Sequence, residues 1–191
     1  MSNLEQVRAQ IRFGLSQLAE TNSHHEFEHL CRHLARARIC SNIIPATGPV
    51  FSGGDQGRDF ETFKTNINPD PYEVTSFVGL ISEKQIAFAC SMQKEKYLNK
   101  IKSDIKKIMS SGSHVESIYF FLASGVPISQ NHKLKDWAKE NYSIFLEIID
   151  GQAISELLAD GEIFWIAEQY LGVPSEVFPR HLTRKIGTKN L

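Results

Sequence analysis

Between residues 85 and 171, short apolar segments alternate with segments whose apolar residues recur at helical spacing. Gln85–Ser91 and Val115–Ala123 are almost wholly apolar, which is typical of buried strands, and Ser143–Ile149 predicts a third strand. Lys96–Met109 and Gln130–Tyr142, which lie between them, have the pattern of amphipathic helices. Strands that alternate with helices favour parallel strands joined by right-handed crossovers. The sequence therefore predicts an α/β protein with a mixed central sheet covered by helices on both faces.

Two further helices are predicted at the start of the chain. Ser23-x-x-Glu26 is a capping box, which places the beginning of the second helix there. After these helices, Arg58–Thr65 has the pattern of a strand, and we expect it to lie beside Gln85–Ser91 in antiparallel orientation. The apolar stripes of the two helices comprise Leu4, Val7, Ile11, Leu15 and Leu18, then Phe27, Leu30, Cys31, Leu34 and Ala35.

The last periodic segments predict two short helices, Gln152–Leu158 and Ile163–Leu171. Trp165 falls on the apolar stripe of the second of them and is expected in the core. From residue 174 onward the chain has no periodicity, so we expect one domain over residues 1–173 and a tail or linker over 174–191.

Composition narrows the class of protein and its compartment. The 191 residues carry a formal net charge of −1, and their three cysteines form no C-x-x-C pair, which argues against a disulfide scaffold or a cysteine zinc site. No apolar run has the length of a membrane helix, and the first residues lack the pattern of a secretory signal. We therefore expect a cytoplasmic protein without a membrane partner.

Charge along the chain is uneven. The segment from Lys94 to Lys107 holds six lysines against Glu95 and Asp104. A basic face of this kind is either a solvated helix surface or a contact for nucleic acid, and charge alone leaves both interpretations open.

The segment GGDQGRDFE at residues 53–61 is the strongest local motif. Its three glycines permit positive φ and close backbone approach, and they deliver an acidic residue to the start of a strand. Asp59 and Glu61 lie two residues apart on one face, where two carboxylates can bind a hard divalent cation. The alternative is a β-turn with solvated acids. The segment is neither a P-loop nor a dinucleotide fingerprint.

Taken together, these features resemble the PD-(D/E)XK, or restriction-endonuclease-like, nucleases of the Mrr type. Those domains carry a helix with a Phe-Glu pair, a GGxxGxD pattern, a strand ending in an acid-or-Gln-x-Lys triplet, and a helix. Here the pair Phe27-Glu28, the pattern at residues 53–59, the strand at 85–91 and the following helix occur in that order, over about residues 23–150. The resemblance implies a three-layer sandwich with a mixed central sheet.

The chain departs from that family at the triplet. In strand phase Ala89, Ser91 and Gln93 face one way, so the acid-x-Lys pattern is missing. Lys94, at the exit of the strand, and Lys100, on the next helix, are candidates for the displaced lysine. The same departure is also expected if catalysis has been lost, and the sequence leaves both interpretations open.

The resemblance implies a metal-dependent DNA endonuclease acting on double-stranded DNA. Asp59 and Glu28 would hold Mg²⁺ or Mn²⁺, which polarises the phosphodiester and activates the attacking water. Lys100 or Lys94 would neutralise the developing phosphate charge, and Gln93 would orient water or substrate.

Lys102 and Lys106 are expected to point outward from the predicted helix and, with Lys107, to contact the DNA backbone. The resemblance also implies an effector of a bacterial anti-phage defence protein, acting as a homo-oligomer or within a larger assembly. The alternative is a catalytically silent nuclease-like fold that serves as a DNA-binding or protein-interaction module.

A competing motif lies in the second predicted helix. His25-Glu26-Phe27-Glu28-His29 fits the H-E-x-x-H pattern of zinc metalloproteases, in which the two histidines bind zinc and Glu26 is the general base. A third ligand is lacking in the pattern, because His33 continues the same helix face and one straight helix cannot surround a tetrahedral ion. We consider it the weaker alternative.

Overall fold

A computed structural model describes residues 3–46, 57–65, 80–110 and 114–178. Within these residues the helices are α1 (Asn3–Glu20), α2 (His24–Arg38), α3 (Tyr97–Ser110), α4 (Ile128–Tyr142), α5 (Gly151–Leu158) and α6 (Trp165–Leu171), and a short 3-10 helix covers Ser175–Val177. The strands are β1 (Ile43–Pro45), β2 (Phe60–Thr62), β3 (Ile86–Ser91), β4 (Ser117–Leu122) and β5 (Phe145–Ile149).

The strands form one five-stranded mixed sheet in the order β1-β2-β3-β4-β5. β1, β2 and β3 pair antiparallel, whereas β3, β4 and β5 pair parallel. In the register, Phe60 lies opposite Phe88, and Phe88 lies opposite Tyr119. The predicted α/β class, the antiparallel neighbours β2 and β3, and the parallel end formed by β4 and β5 are confirmed.

Helices cover both faces of the sheet. Alternate residues of β3 divide between the faces: Phe88 packs with α1, α2, α5 and α6, which we call the four-helix layer, and Ala87 and Ala89 pack with α3 and α4, the two-helix layer. The strand alternation of side chains explains this division. The sheet with a helical layer on each face is compatible with a three-layer sandwich.

Helix ends are fixed by local chemistry. Asp150 caps α5, since its Oδ1 accepts a hydrogen bond from the Ala153 amide at 3.0 Å. Gly172 follows α6 with a φ of +63°, a left-handed conformation that glycine adopts without strain. Ser23 occupies the N-cap position of α2 but makes no side-chain capping bond, because its hydroxyl pairs instead with Thr21 Oγ1. The predicted capping box is therefore wrong in its chemistry, although it locates the helix start.

Three other expectations differ from the structure. The strand expected over Arg58–Thr65 is shorter, since β2 spans only Phe60–Thr62. β1 pairs with it, and the sequence pattern did not predict a strand there. Trp165 is 43% exposed rather than in the core, because it begins α6 and packs edge-on against His33.

Packing continues into the segment that the sequence assigned to a tail. Phe178 is buried, and its ring lies 4.8 Å from the ring of Phe164. Residues 179–191 lie outside the described residues. Among the described helices, none is both long and apolar enough to cross a membrane.

Candidate active site

Asp59 lies immediately before β2, beside the carboxyl-terminal end of β3. Its amide donates to the Phe88 carbonyl at 2.9 Å, and its carbonyl accepts from the Ala46 amide at 3.0 Å. Its side-chain Oδ2 accepts a hydrogen bond from the Cys90 amide. The carboxylate therefore adds one side-chain hydrogen bond to the antiparallel pairing of β2 and β3 and is held at the carboxyl-terminal end of β3.

Glu28 lies on α2, three residues before Cys31, and its side chain is 41% exposed. Cys31 of α2 is buried and hydrogen-bonds through its thiol to Cys90 of β3. Burial raises the pKa of the Cys31 thiol, and the carboxylates of Asp59 and Glu28 raise it further. For Cys90, burial and the contact with Cys31 raise the pKa well above its usual value, and the same two carboxylates add to the effect. The negative charges of both carboxylates therefore act on this thiol pair.

The end of β3 carries no acid-x-Lys triplet in the structure either. Ala89 and Ser91 are both buried, and Ala89 belongs to the two-helix layer. Gln93 is exposed beyond the strand, and its amide donates to Ser91 Oγ at 3.2 Å. Ser124, which follows β4, places its Oγ 3.5 Å from the Gln93 carbonyl. The predicted residue Gln93 therefore lies where β3 and β4 end.

Lys100 is held by a buried acid. Its Nζ lies 2.8 Å from Asp104 Oδ2, and the Asp104 side chain is only 4% exposed. The backbone of Gly57 packs against this part of α3, since a Cβ there would lie 3.0 Å from the Asp104 carbonyl oxygen. Gly57 precedes Asp59 by two residues, so this contact places α3 and the Asp59 segment side by side.

The other candidate lysine points elsewhere. Lys94 Nζ lies 3.9 Å from Glu20 Oε1 at the end of α1, and both side chains are more than half exposed. Of the two lysines proposed to neutralise a phosphate, Lys100 is therefore the one with a fixed position.

The lysines predicted to bind DNA occupy different sides of α3. Lys107 lies 4.0 Å from Asp104 Oδ1, on the same side as Lys100. Lys106 is exposed. Lys102 does not point freely outward as expected, because its Nζ lies 5.0 Å from the ring centre of Trp137 on α4, a cation–π distance.

The H-E-x-x-H residues show no zinc-site geometry. The His25 side chain is 88% exposed and lies 3.7 Å from Glu28, and His29 instead contacts Arg32 and stacks on Tyr170. Within the described ranges there is no group of three or more His, Cys, Asp or Glu side chains placed to hold a metal ion.

Two features of the site were missed by sequence reasoning. The first is the burial of Asp104, which had a readable signal, because position 104 falls between Ile101, Ile105 and Ile108 on the buried stripe of α3. The second is the thiol contact between Cys31 and Cys90, which joins α2 to β3 and has no sequence signature, because the two cysteines are far apart in the chain.

Comparison of this chain with family models, with curated proteins and with solved structures finds no match in any of the three. The arguments about function therefore depend on the residues and their geometry.

Proposed function

We propose that this chain is a metal-dependent DNA endonuclease domain of the PD-(D/E)XK type. The observation that carries the proposal is the position of Asp59, which lies before β2 and whose carboxylate accepts a hydrogen bond from the Cys90 amide at the end of β3. Glu28 lies on α2, three residues before the buried Cys31. Order along the chain supports it, since a helix bearing Glu28 precedes the glycine-rich segment, the antiparallel β2 and β3, and then α3.

The residues present fit a magnesium ion. Mg²⁺ keeps several waters and is bound in proteins through one or two carboxylates together with substrate phosphates, so a dedicated cage of three side chains is not required. Glu28 and Asp59 are two hard oxygen donors of this kind, and neither is fully buried. The bound ion would supply Lewis-acid polarisation of the phosphodiester and a lowered pKa for the attacking water.

The chain's own residues have separate tasks in this proposal. Asp59 and Glu28 hold the ion, and the hydrogen bond from the Cys90 amide keeps the Asp59 carboxylate in place. Lys100 stabilises the negative charge that develops on the phosphate, and Asp104 positions its ammonium group. Gln93, exposed where β3 ends, orients water or the DNA strand.

A second candidate function is a catalytically silent nuclease-like fold that binds DNA or protein. The specific observation in its favour is that Ala89 and Ser91 fill the positions of the acid-x-Lys triplet and are both buried. Under this alternative Asp59 serves the strand ladder, and Lys100 is the surface partner of Asp104.

A cleavage assay on supercoiled plasmid with Mg²⁺ or Mn²⁺ separates the two candidates. The informative variant is Asp59→Asn, because the amide oxygen still accepts the Cys90 hydrogen bond while the negative charge is lost. Asp136→Asn, at an exposed position of α4, is the matched control.

We expect metal-dependent nicking by the wild type and the Asp136→Asn variant and none by Asp59→Asn. Lys100→Met should lower cleavage more than DNA binding, with Lys139→Met as its control. Cleavage that survives Asp59→Asn would exclude the assigned metal site. DNA binding without any cleavage by the wild type would favour the silent fold.

A further inference from the structure

A basic cleft lies between α3 and α4, away from Asp59. Its volume is about 200 Å³, and it is open to solvent. Six residues line it: Leu98, Asn99 and Lys102 from α3, and Gln130, Lys133 and Leu134 from α4. We call these residues the α3–α4 cleft.

The cleft carries positive charge that is not neutralised by a carboxylate. Neither Lys102 nor Lys133 forms an ion pair with any carboxylate in the part of the chain that the structure describes. Lys102 is held in position, since its ammonium group lies over the Trp137 ring. None of the six lining residues is acidic.

Two amide side chains add neutral hydrogen-bond donors. The Oε1 atom of Gln130 accepts a hydrogen bond from the Tyr97 hydroxyl, which directs that oxygen to Tyr97 and leaves the NH₂ group as the remaining donor. Asn99 is exposed at the rim. Of the two leucines that line the cleft, Leu134 is buried and Leu98 is half-buried. The two ammonium groups and two amides match a ligand that offers several acceptor oxygens and negative charge.

Helix geometry separates this cleft from the candidate active site. Lys100 and Lys107 lie with Asp104 on the side of α3 that faces Gly57. Lys102 lies on the side that faces α4, as its contact with Trp137 shows. The two basic flanks are therefore different surfaces of one helix.

We propose that the α3–α4 cleft binds a phosphate group, with Lys102 and Lys133 as its charged ligands and Asn99 and Gln130 as its hydrogen-bond donors. The phosphate belongs either to a free phosphorylated small molecule or to a DNA strand that lies across α3. The second source rests on the DNA-binding function proposed above, whereas the first does not.

Binding experiments on the full chain test the proposal with two probes. The first is adenosine 5′-monophosphate titrated by calorimetry, with adenosine as the uncharged control. The second is a labelled DNA duplex followed by fluorescence anisotropy across a series of salt concentrations. The cleft variant is Lys102→Met/Lys133→Met, and the matched control is Lys84→Met/Lys139→Met, which removes the same charge from exposed positions outside the cleft. Thermal unfolding of both variants checks that the fold is intact.

A free phosphorylated ligand predicts that the mononucleotide binds, that adenosine does not, and that the cleft variant weakens binding at least about tenfold, because two charge-assisted hydrogen bonds are removed. A DNA phosphate predicts instead that duplex affinity falls in the cleft variant alone and that the salt slope falls by about 0.9 for each phosphate that the variant no longer neutralises. Equal binding of both probes by the cleft and control variants overturns the proposal. The test of the cleft is independent of the test of the nuclease function. Asp59→Asn is expected to lose cleavage while its α3–α4 cleft binds the probes as in the wild type, so failure of one proposal can be distinguished from failure of the other.

Discussion

The parallel and antiparallel regions of the sheet are built in different ways. β3, β4 and β5 have six, six and five residues and lie between two layers of helices, so their side chains are mostly buried on both faces. β1 and β2 have three residues each, and only one residue in each strand is buried. The parallel region is held by apolar burial, which grows with the area removed from water.

Polar contacts add to apolar burial in the antiparallel region, where Phe60 is buried and its ring stacks on that of Phe88. Arg58, which is buried, donates to Glu61 Oε2 at 2.7 Å and to the Ile108 carbonyl at 3.2 Å, and so joins β2 to the end of α3. Asp59 adds its bonds to Phe88 and Cys90. The region that carries the candidate chemistry is therefore positioned by a few directional bonds on a framework that the parallel region stabilises.

The largest effect is expected in the parallel region. Phe120 is fully buried in β4, so Phe120→Ala should lower the free energy of unfolding by about 3–5 kcal/mol, through reduced burial and the cavity left behind. Phe145→Ala in β5 is the matched control, because that ring is 54% exposed. Denaturant titration of both variants measures the difference, and equal losses would contradict the assigned burial.

A second effect, on stability at alkaline pH, is expected from Cys40, which lies close to β1. Burial raises the pKa of the Cys40 thiol from its usual 9.0 to about 12. Between these values the unfolded chain loses the proton while the folded chain keeps it. The contribution of this thiol to the free energy of unfolding is therefore fully present below pH 9 and decreases as the pH rises. The loss approaches about 1.4 kcal/mol per pH unit for this group.

The test compares wild type with Cys40→Ala in denaturant titrations from neutral to alkaline pH. The variant should show a smaller decline in unfolding free energy above pH 9, because its side chain at position 40 has no proton to lose. Identical pH profiles for wild type and Cys40→Ala would contradict the prediction.

A third prediction concerns the glycine before Asp59. Gly57 has a φ of +79°, and a Cβ would lie 3.0 Å from the Asp104 carbonyl oxygen. Gly57→Ala should cost about 1–2 kcal/mol from the left-handed backbone alone, and more because the new methyl group displaces α3. Gly172→Ala isolates the backbone cost, since φ is +63° and nothing lies within 4 Å of the added Cβ. In thermal unfolding, Gly57→Ala should have a lower melting temperature than Gly172→Ala. The reverse order would argue against the packing of α3 on this turn.

The smallest expected effect is the difference in stability between two variants of Asp59, which separates the structural role of its side chain from its charge. Asp59→Ala leaves the Cys90 amide without its acceptor and should cost about 1–3 kcal/mol, whereas Asp59→Asn retains an oxygen there and should cost less. Chemical denaturation of the two variants gives the comparison. A larger loss in the Asn variant would show that the charge, rather than the hydrogen bond, holds this residue.

Sequence periodicity predicted the parallel region well. The strands and helices from β3 to α6 were expected within a few residues of their observed bounds, because burial on a fixed period dominates there. In the antiparallel region the sequence pattern predicted too long a strand for β2 and no strand for β1, because three-residue strands are too short to show a period. Trp165 was misplaced because the buried positions at the start of α6 are Ile166 and Ala167, whereas the Trp165 ring packs edge-on against His33 and is 43% exposed.

The candidate site was predictable as a set of residues but not as a set of contacts. The motif and its resemblance selected Glu28, which the structure places on α2, and Asp59, which it places immediately before β2. The different positions of Lys102 and Lys107 depend on which helix packs beside α3, and that is a tertiary property. The sequence also could not show that the Asp59 carboxylate completes a strand ladder, because the residue that donates to it is Cys90, 31 positions away.

One consequence of the Asp59 geometry concerns how such a protein can change over generations. The backbone of Asp59 joins the Ala46 amide and the Phe88 carbonyl, and these two bonds do not depend on which side chain position 59 bears. An acid at this position can therefore be exchanged for its amide while the three strands remain connected. A lineage can lose and regain the negative charge at this position by single substitutions, with a folded protein at each step.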